Sequence, residues 1–332
     1  MSWTKDNANT ACGRVLLPVV AARNRADSGH IGAFRAGRRR TLGLVALGAA
    51  LISLPGVAAR RSVRVVTLFQ GATDTVVALG ITPVGVVESW QDKPIYPYLR
   101  QALAGVTLLG LETQPSLEDV ALLDPDVIVA SSFRHARIAP LLSQLGRLVM
   151  LDDIYRYRRT LSVTAAALGC EHSAMDWEIR LKTRIRALRQ RLQRHFDGAW
   201  PISVSLLDVR ANEVRSYLAG SFGGSVLRSL GFRWNPIQAG VGGVSLRLTG
   251  VEHLSSIDAD VFFVMLHGDS AAVRRHYREL RAHPIWQRMS APRRGAVVAV
   301  DPVAWSLSGG ILGVMHMLDD IEGWLDDTTR RA

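Results

Sequence analysis

Two stretches of thirteen residues in this chain share one pattern, and this internal repeat limits the fold more than any other feature of the sequence. Residues 117–129 (LEDVALLDPDVIV) align without gaps on residues 251–263 (VEHLSSIDADVFF). Residues 75–81 (TVVALGI) likewise match residues 226–232 (VLRSLGF). Because both matches occur in the same order, the sequence predicts two homologous lobes.

Each repeated unit alternates strand-like and helix-like segments. The segments Val63–Leu68, Pro83–Val87 and Asp126–Ala130 are apolar and rich in β-branched residues, whereas Thr73–Leu79 and Ser116–Leu123 have helical patterns. Nearly continuous apolar strands are typical of parallel sheets that are buried on both faces. The pattern therefore predicts an α/β fold with mostly parallel sheets.

A long helix is predicted between the two repeats. Residues Asp176 to Phe196 have an apolar stripe and no internal Gly or Pro, so they form one helix about 30 Å long. We therefore expect two α/β lobes joined by a single long helix that permits only small rocking, with the ligand cleft between the lobes. The expected divisions are a signal peptide with its basic leader at 1–59, an N-terminal lobe at 60–170, a linking helix at 171–197 and a C-terminal lobe at 198–332.

The N-terminal region has the three parts of a secretory signal. Arg38–Arg40 precede an apolar run, Thr41–Leu54, which is followed by the small-residue segment Pro55–Ala59. The run is shorter than the roughly 20 residues of a membrane-spanning helix, although an uncleaved anchor is the alternative. We predict a signal peptide at 38–59, a mature chain that begins near Arg60, and a periplasmic protein exported by the Sec route or, given the paired arginines, the twin-arginine route.

The net charge of +11 does not indicate a nucleic-acid partner. Residues 1–59 hold eight basic and two acidic residues, so more than half of the excess lies in the predicted leader. The remaining charge is too scattered for binding to a phosphate backbone. The two cysteines, Cys12 and Cys170, exclude a cysteine-rich zinc site, and the histidines have no metal-ligand spacing. We therefore predict no protein-held metal.

The sequence contains no common catalytic motif. The patterns G-x-S-x-G, G-x-x-x-x-G-K-[ST] and H-E-x-x-H are absent, as is G-x-G-x-x-G after a strand. We therefore predict no catalytic residue. A secreted α/β enzyme that uses His135 or His267 as a base is the alternative from another functional class.

Several polar side chains follow predicted strands. Ser132 and Arg134 come after Asp126–Ala130, Arg210 comes after the strand at 202–207, and His267 comes after the strand at 261–266. Ligands of parallel α/β sheets collect beyond the carboxyl ends of strands. Since the planar guanidinium group binds two oxygens, these arginines predict a site for carboxylate or chelate oxygens, unless they are simply solvated.

Two loop tryptophans and one glycine-rich segment are further candidates. Trp90 and Trp305 follow predicted strands, where they either form apolar walls of the cleft or cover the edge of a lobe. Ser225 ends the segment Gly220–Ser225, which begins the repeated helix of the second lobe. The backbone N–H groups at that helix start could face an anionic ligand.

Five segments carry a resemblance to a known family. The chain resembles the helical-backbone periplasmic binding proteins of ABC importers for siderophores, haem and cobalamin, and within them it is most similar to ferric-dicitrate-binding members. The segments are 81–86 (ITPVGV), 113–118 (TQPSLE), 131–136 (SSFRHA), 224–231 (GSVLRSLG) and 284–287 (PIWQ).

The resemblance implies a ligand and a partner. It assigns Arg134 and Arg210 to the ligand, and Glu118 and Glu252 to docking on arginines of an inner-membrane ABC permease; both glutamates also stand where a helix N-terminus favours an acid. The expected ligand is ferric citrate or a citrate-like siderophore, with a ferric hydroxamate, cobalamin or haem as alternatives. Iron would enter within the bound chelate, with no intrinsic cofactor, and we expect a monomer.

Two departures from the family pattern concern charge. Glu112 stands where relatives have arginine, and Ser306–Gly310 replaces an arginine-rich stretch of the citrate-binding relative. Both changes are expected to weaken the binding of a dianionic ferric citrate. Either Glu112 faces away from the ligand, or the ligand is a less anionic siderophore.

Overall fold

The structure is a computed structural model that describes residues 62–248 and 250–331. The predicted signal peptide at 38–59 and the predicted mature start at Arg60 lie outside the described residues.

The first lobe is built on a six-stranded sheet with the strand order β4-β3-β2-β1-β5-β6. All neighbouring strands are parallel except β3 and β4. Its elements are β1 (Val65–Thr67), α1 (Gln70–Ala78), β2 (Gly85–Glu88), β3 (Thr107–Leu111), β4 (Gln114–Pro115), α2 (Leu117–Leu122), β5 (Val127–Ser131), α3 (Ser132–His135), α4 (Ala139–Leu145), β6 (Arg147–Leu151) and α5 (Tyr157–Leu168), with a 3₁₀ turn at Pro97–Leu99.

Helix α6 (Glu171–Phe196) leads to the second lobe, whose sheet has the order β10-β8-β7-β11-β12, with β9 also paired to β7. Strands β7, β9, β11 and β12 are mutually parallel where they pair, whereas β8 is antiparallel to β7 and β10. The elements are β7 (Ser203–Val209), β8 (Val214–Tyr217), α7 (Phe222–Leu230), β9 (Arg233–Trp234), α8 (Pro236–Ala239), β10 (Ser245–Leu248), β11 (Val261–Leu266), α9 (Ala271–Ala282), α10 (Pro284–Arg288), α11 (Ser290–Arg293), β12 (Val297–Ala299) and α12 (Ile311–Arg331), with short 3₁₀ helices at Asp197–Ala199 and Val251–Ile257 and a π-helical turn at Val303–Leu307.

The topology explains the repeat in the sequence. In each lobe a central strand, β1 or β7, precedes a helix of nine residues, α1 or α7, and pairs in parallel with the strand after that helix. The same central strand pairs in parallel with β5 or β11 on its other side. This arrangement confirms the predicted two-lobed α/β fold. Within the described residues, the first lobe has no hairpin between β1 and α1 that corresponds to β7–β8.

The long helix α6 has 26 residues, which corresponds to about 39 Å, and it begins five residues before the predicted stripe. Trp177, Leu181, Leu188 and Leu192 are buried at helical spacing, so one face of the helix packs while its arginines remain outside. The helix ends at Asp197, whose φ of 40° leaves the helical region.

The last helix, α12, reinforces this connection. Arg184 of α6 forms ion pairs with Asp319 and Glu322, and Arg191 pairs with Asp326, so the two helices run in the same direction. Helix α12 also packs against α1 and α5 of the first lobe and against α7 of the second. One apolar core therefore continues through both lobes along these helices. Because α12 contacts both lobes, the contacts do not assign it to the C-terminal lobe alone. The predicted lobe boundaries at 170 and 197 therefore stay a prediction.

Candidate ligand-binding site

A cleft of about 430 Å³ lies between the two lobes. Such a volume is typical of sites for small molecules. The first lobe contributes the start of α1, the loop after β2, Glu112, Arg134 and Tyr155, while the second contributes the hairpin β7–β8, the start of α7 and His267. The N-termini of the repeated helices α1 and α7 thus both face the cleft, where their N–H groups favour negative charge.

Arg134 is held in one orientation by three contacts. It lies in α3, directly after the buried strand β5, and its Nε donates to Oε1 of Glu112 at 3.2 Å. Its guanidinium lies 5.2 Å from the centre of the Trp90 ring and 4.9 Å from that of Phe133. The terminal Nη groups donate to none of the described residues. The donor edge that suits two oxygens is therefore available.

The second lobe presents two arginines in the same way. Nε of Arg210 donates to Asp208 at 2.9 Å, and Nε of Arg215 donates to Glu213 at 2.7 Å. The hairpin sets this geometry, since Arg215 on β8 is the cross-strand partner of Asp208 on β7. As for Arg134, neither arginine uses its Nη groups within the part of the chain that the structure describes.

Glu112 lies at the centre of the first-lobe wall. Its carboxylate is only 3% exposed and accepts from the backbone N–H of Gln70 at 3.4 Å and from Nε1 of Trp90 at 3.1 Å, in addition to Arg134. Burial raises the pKa of Glu112, while Arg134 is the main opposing influence. The acid thus faces the cleft residues rather than pointing away from them, and it is paired rather than free.

His135 supports this wall from behind. Its Nδ1 accepts from the N–H of Ser131 at 3.2 Å, so Nε2 carries the hydrogen and donates to the carbonyl oxygen of Glu112 at 2.8 Å. The ring is fully buried, and burial lowers the pKa of His135. The side chain is therefore a neutral structural element of the wall.

The remaining candidates differ in their positions. Trp90 and His267 line the cleft, and Nδ1 of His267 lies 3.5 Å from Oδ2 of Asp208. Trp305 lies at the wall, but its side chain is fully buried and its indole N–H donates to Asp320 at 2.7 Å. Trp305 therefore offers little apolar surface to a ligand.

Ser132 and Ser225 do not line the cleft. The hydroxyl of Ser132 donates to the carbonyl oxygens of Leu151 and Asp152, and that of Ser225 donates to the carbonyl oxygen of Phe222. Ser221, one turn before Ser225, lines the cleft instead, and its Oγ accepts from the N–H of Gly224 to begin α7. The glycine-rich segment therefore serves both as helix start and as cleft wall.

Sequence reasoning missed several lining residues. Arg215 and Tyr217 lie on β8, the strand that the repeat does not contain. Tyr155 follows β6, so the rule that selected Arg134, a polar residue after a strand, could have found it. Among the described residues no group of His, Cys, Asp and Glu could hold a metal ion.

The two predicted docking residues occupy equivalent places in the repeat. Glu118 is exposed in the first turn of α2, which precedes β5. Glu252 lies in the 3₁₀ helix Val251–Ile257, which precedes β11. Within the described residues no helix is both long and apolar enough to cross a membrane.

A family model described as periplasmic binding protein matches residues 65–304. The chain belongs to this family. It is a substrate-binding protein of the transport class and not an enzyme, which leaves the histidine-base alternative without support.

Three relatives illustrate the similarity. The achromobactin-binding periplasmic protein of Dickeya dadantii is 56% identical over 78% of this chain and 85% of its own length. The Fe(3+) dicitrate-binding periplasmic protein FecB of Escherichia coli is 26% identical over 77% and 83%. The crystal structure of Staphylococcus aureus SirA complexed with staphyloferrin B has a TM-score of 0.76 at 33% identity, covering 79% of this chain and 92% of SirA.

Proposed function

We propose that this protein captures a ferric siderophore through its carboxylate oxygens and delivers it to an ABC permease. One observation carries the proposal. Arg134, Arg210 and Arg215 each donate Nε to a buried carboxylate and keep their Nη groups unused within the described structure. A fork of two parallel N–H donors is the arrangement that binds carboxylates in bidentate fashion.

The charge of the cleft favours a ligand with little net charge. Glu112, Asp208 and Glu213 stand behind the three arginines, and the side chain of each acid is less than a tenth exposed. Each of the three arginine charges is thus paired with an acid, although Glu213 is shared with Arg247, and the hydrogen-bond donors of the three arginines remain directed at the cleft. A small ferric complex that presents carboxylate oxygens suits such a surface better than a highly charged anion.

The relatives narrow the choice of ligand. We propose the ferric complex of achromobactin as the first candidate, because the achromobactin-binding relative is more than twice as identical to this chain as FecB is. Staphyloferrin B, which SirA binds, is the second candidate. Ferric citrate, the ligand favoured by the sequence resemblance, is the third, and Glu112 and Ser306–Gly310 distinguish this cleft from the arginine-rich one expected for it.

We further propose that the protein acts in the periplasm after export on the signal at 38–59. Iron would arrive as part of the ligand, and no resident cofactor is needed. Glu118 and Glu252 would contact the permease, one from each lobe. Their matched positions before β5 and β11 support this assignment, because each lobe then offers one acid at an equivalent place.

Tryptophan fluorescence of the purified protein tests the ligand. Trp90 lies against Arg134 in the cleft and is 42% exposed, so a bound ferric complex should quench its emission. We expect saturation with ferric achromobactin and a weaker or absent response to iron-free achromobactin, haemin and cobalamin. A Trp90→Phe variant should lose most of the quenching, and radioactive iron retained on ultrafiltration measures binding of the wild type independently of tryptophan emission. Saturation by haemin or cobalamin alone would contradict the proposal.

A further inference from the structure

We infer that Glu112 is a positioning residue that strengthens ligand capture, although it adds a negative charge to a cleft built for anionic oxygens. This inference rests on the proposed function. The sequence alone predicts only that Glu112 weakens the binding of a dianionic ferric citrate.

The contacts of Glu112 carry the argument. Its Oε1 accepts from Nε of Arg134, and its Oε2 accepts from Nε1 of Trp90 and the N–H of Gln70. One carboxylate therefore joins the ligand arginine, an aromatic wall and the first turn of α1, all of which line the cleft. Because the Nε edge of Arg134 is occupied, the guanidinium can meet a ligand only with its Nη edge.

The negative charge itself has little access to a ligand. The carboxylate is 3% exposed. Two of its three donors are the positively charged guanidinium of Arg134 and the Gln70 N–H at the N-terminus of α1. A buried carboxylate with such partners is balanced locally. Its repulsion of a ligand is therefore smaller than the benefit of a fixed arginine.

The variant Glu112→Gln separates the two effects. A carboxamide has one oxygen and one NH₂ group, so it can accept on one edge only. The other edge would direct a donor at either Arg134 or the pair of Trp90 and Gln70. Removal of the negative charge should therefore loosen the arginine and weaken binding, whereas simple electrostatics predicts tighter binding.

Acidification should have the same effect as the variant. Burial raises the pKa of Glu112, so the carboxylate takes up a proton at a higher pH than an ordinary glutamate and then resembles the amide. The charged and titratable groups around it are Arg134, Tyr96, Tyr155 and His135. The affinity should fall as the pH decreases through the pKa of Glu112. If the affinity of Glu112→Gln still falls on acidification, the titrating group is another one, such as His135.

The experiment is a titration of the full chain with ferric achromobactin. We compare wild type with Glu112→Gln over the range from neutral to acidic pH in which the folded protein is stable. The control is Glu279→Gln, since Glu279 is exposed on α9 outside the cleft. We expect Glu112→Gln to bind about tenfold more weakly, consistent with one lost charge-assisted hydrogen bond, and to lose the acid step of the wild type. Equal or tighter binding by Glu112→Gln would overturn the inference.

Two further outcomes are informative. If wild type binds none of the ferric complexes of achromobactin, staphyloferrin B and citrate, the proposed function fails, whatever Glu112 does. If Glu112→Gln does not fold, as judged by circular dichroism, the pH dependence of the wild-type affinity tests the inference instead. An affinity that stays constant or rises on acidification contradicts the inference.

Discussion

The carboxylate of Asp74 accepts a hydrogen bond of 2.8 Å from the backbone N–H of Leu312, although 238 residues separate the two in the chain. The same carboxylate accepts from the N–H of Gly313 at 3.0 Å and from the hydroxyl of Tyr98 at 2.8 Å. Asp74 therefore caps the start of α12 from within α1 of the first lobe. Since the first turn of α1 lines the cleft, this contact links the C-terminal helix to the cleft wall.

Replacement of Asp74 by alanine should destabilise the protein strongly. The change leaves two helix N–H groups and the Tyr98 hydroxyl without their acceptor in a buried place. We expect the free energy of unfolding to fall by about 3 kcal/mol, measured by urea denaturation at mildly acidic pH, where Asp74 contributes most to stability. Asp326→Ala removes an ion pair with Arg191 at a largely exposed site and should cost less than about 1 kcal/mol. Equal effects of the two variants would contradict this account of α12.

Asp74 should also make stability depend on pH. Burial raises the pKa of Asp74 from 3.8 to about 7, against the three hydrogen bonds that lower it. The folded state therefore holds a proton over a range in which the unfolded state has lost it. The stabilising contribution is complete below about pH 4 and is lost as the pH rises to about 7, by up to about 4 kcal/mol.

Urea denaturation at a series of pH values checks this slope. In Asp74→Asn the side chain cannot titrate, so the difference from wild type should vary across this pH range and become constant above it. A difference that is the same at every pH would show that Asp74 keeps an ordinary pKa in the folded state.

Gly310 and Gly323 form a matched pair for testing the cap. Gly310 directly precedes the C-terminal helix α12, and a Cβ there would lie 2.2 Å from Oδ1 of Asp74. Gly323 lies inside α12, and a Cβ there meets nothing within 4 Å. We expect Gly310→Ala to lower the melting temperature, with a cost of about 1–3 kcal/mol. Gly323→Ala should raise the melting temperature, with a gain of about 0.5–1 kcal/mol in the free energy of unfolding, because alanine is the better helix former. Opposite signs in calorimetry support the cap, and a neutral Gly310→Ala argues against it.

Permease docking can be separated from ligand binding. The charge reversal Glu118→Lys lies on the exposed first turn of α2, and Glu118 is absent from the cleft lining. We expect ferric achromobactin to bind with unchanged affinity but iron uptake into cells to fall at least tenfold. Glu279→Lys on α9 serves as the control for added positive charge. Normal uptake with Glu118→Lys would remove Glu118 from the docking surface.

Much of the fold could be predicted because it depends on patterns that are local in sequence. The alternation of apolar strands and helices, its repetition and the long stripe of α6 are each visible without knowledge of contacts. Strand ends also indicate where polar side chains collect, and Arg134, Arg210 and His267 lie at the cleft. The hairpin β7–β8 was missed because it interrupts the repeat, and Arg215 was missed with it.

Side-chain direction and partners could not be predicted in the same way. Ser132 and Ser225 stand in the expected segments, but each hydroxyl bonds to a nearby carbonyl oxygen rather than facing the cleft. Glu112 was treated as a bare charge, since the sequence does not show that Trp90, Gln70 and Arg134 converge on it. Such convergence depends on the packing of β3, α1 and α3, which are far apart along the chain.

The most direct test of the central claim is the affinity of Arg134→Lys and Arg210→Lys for ferric achromobactin, measured by calorimetric titration. Lysine keeps the positive charge, and with it the pairing to Glu112 or Asp208, but lacks the planar fork that meets two carboxylate oxygens. Arg275→Lys, at an exposed position of α9, is the control. The account predicts that each cleft variant binds about tenfold more weakly and that the control binds like wild type. Wild-type affinity in both cleft variants would contradict the claim that these arginines hold the ligand.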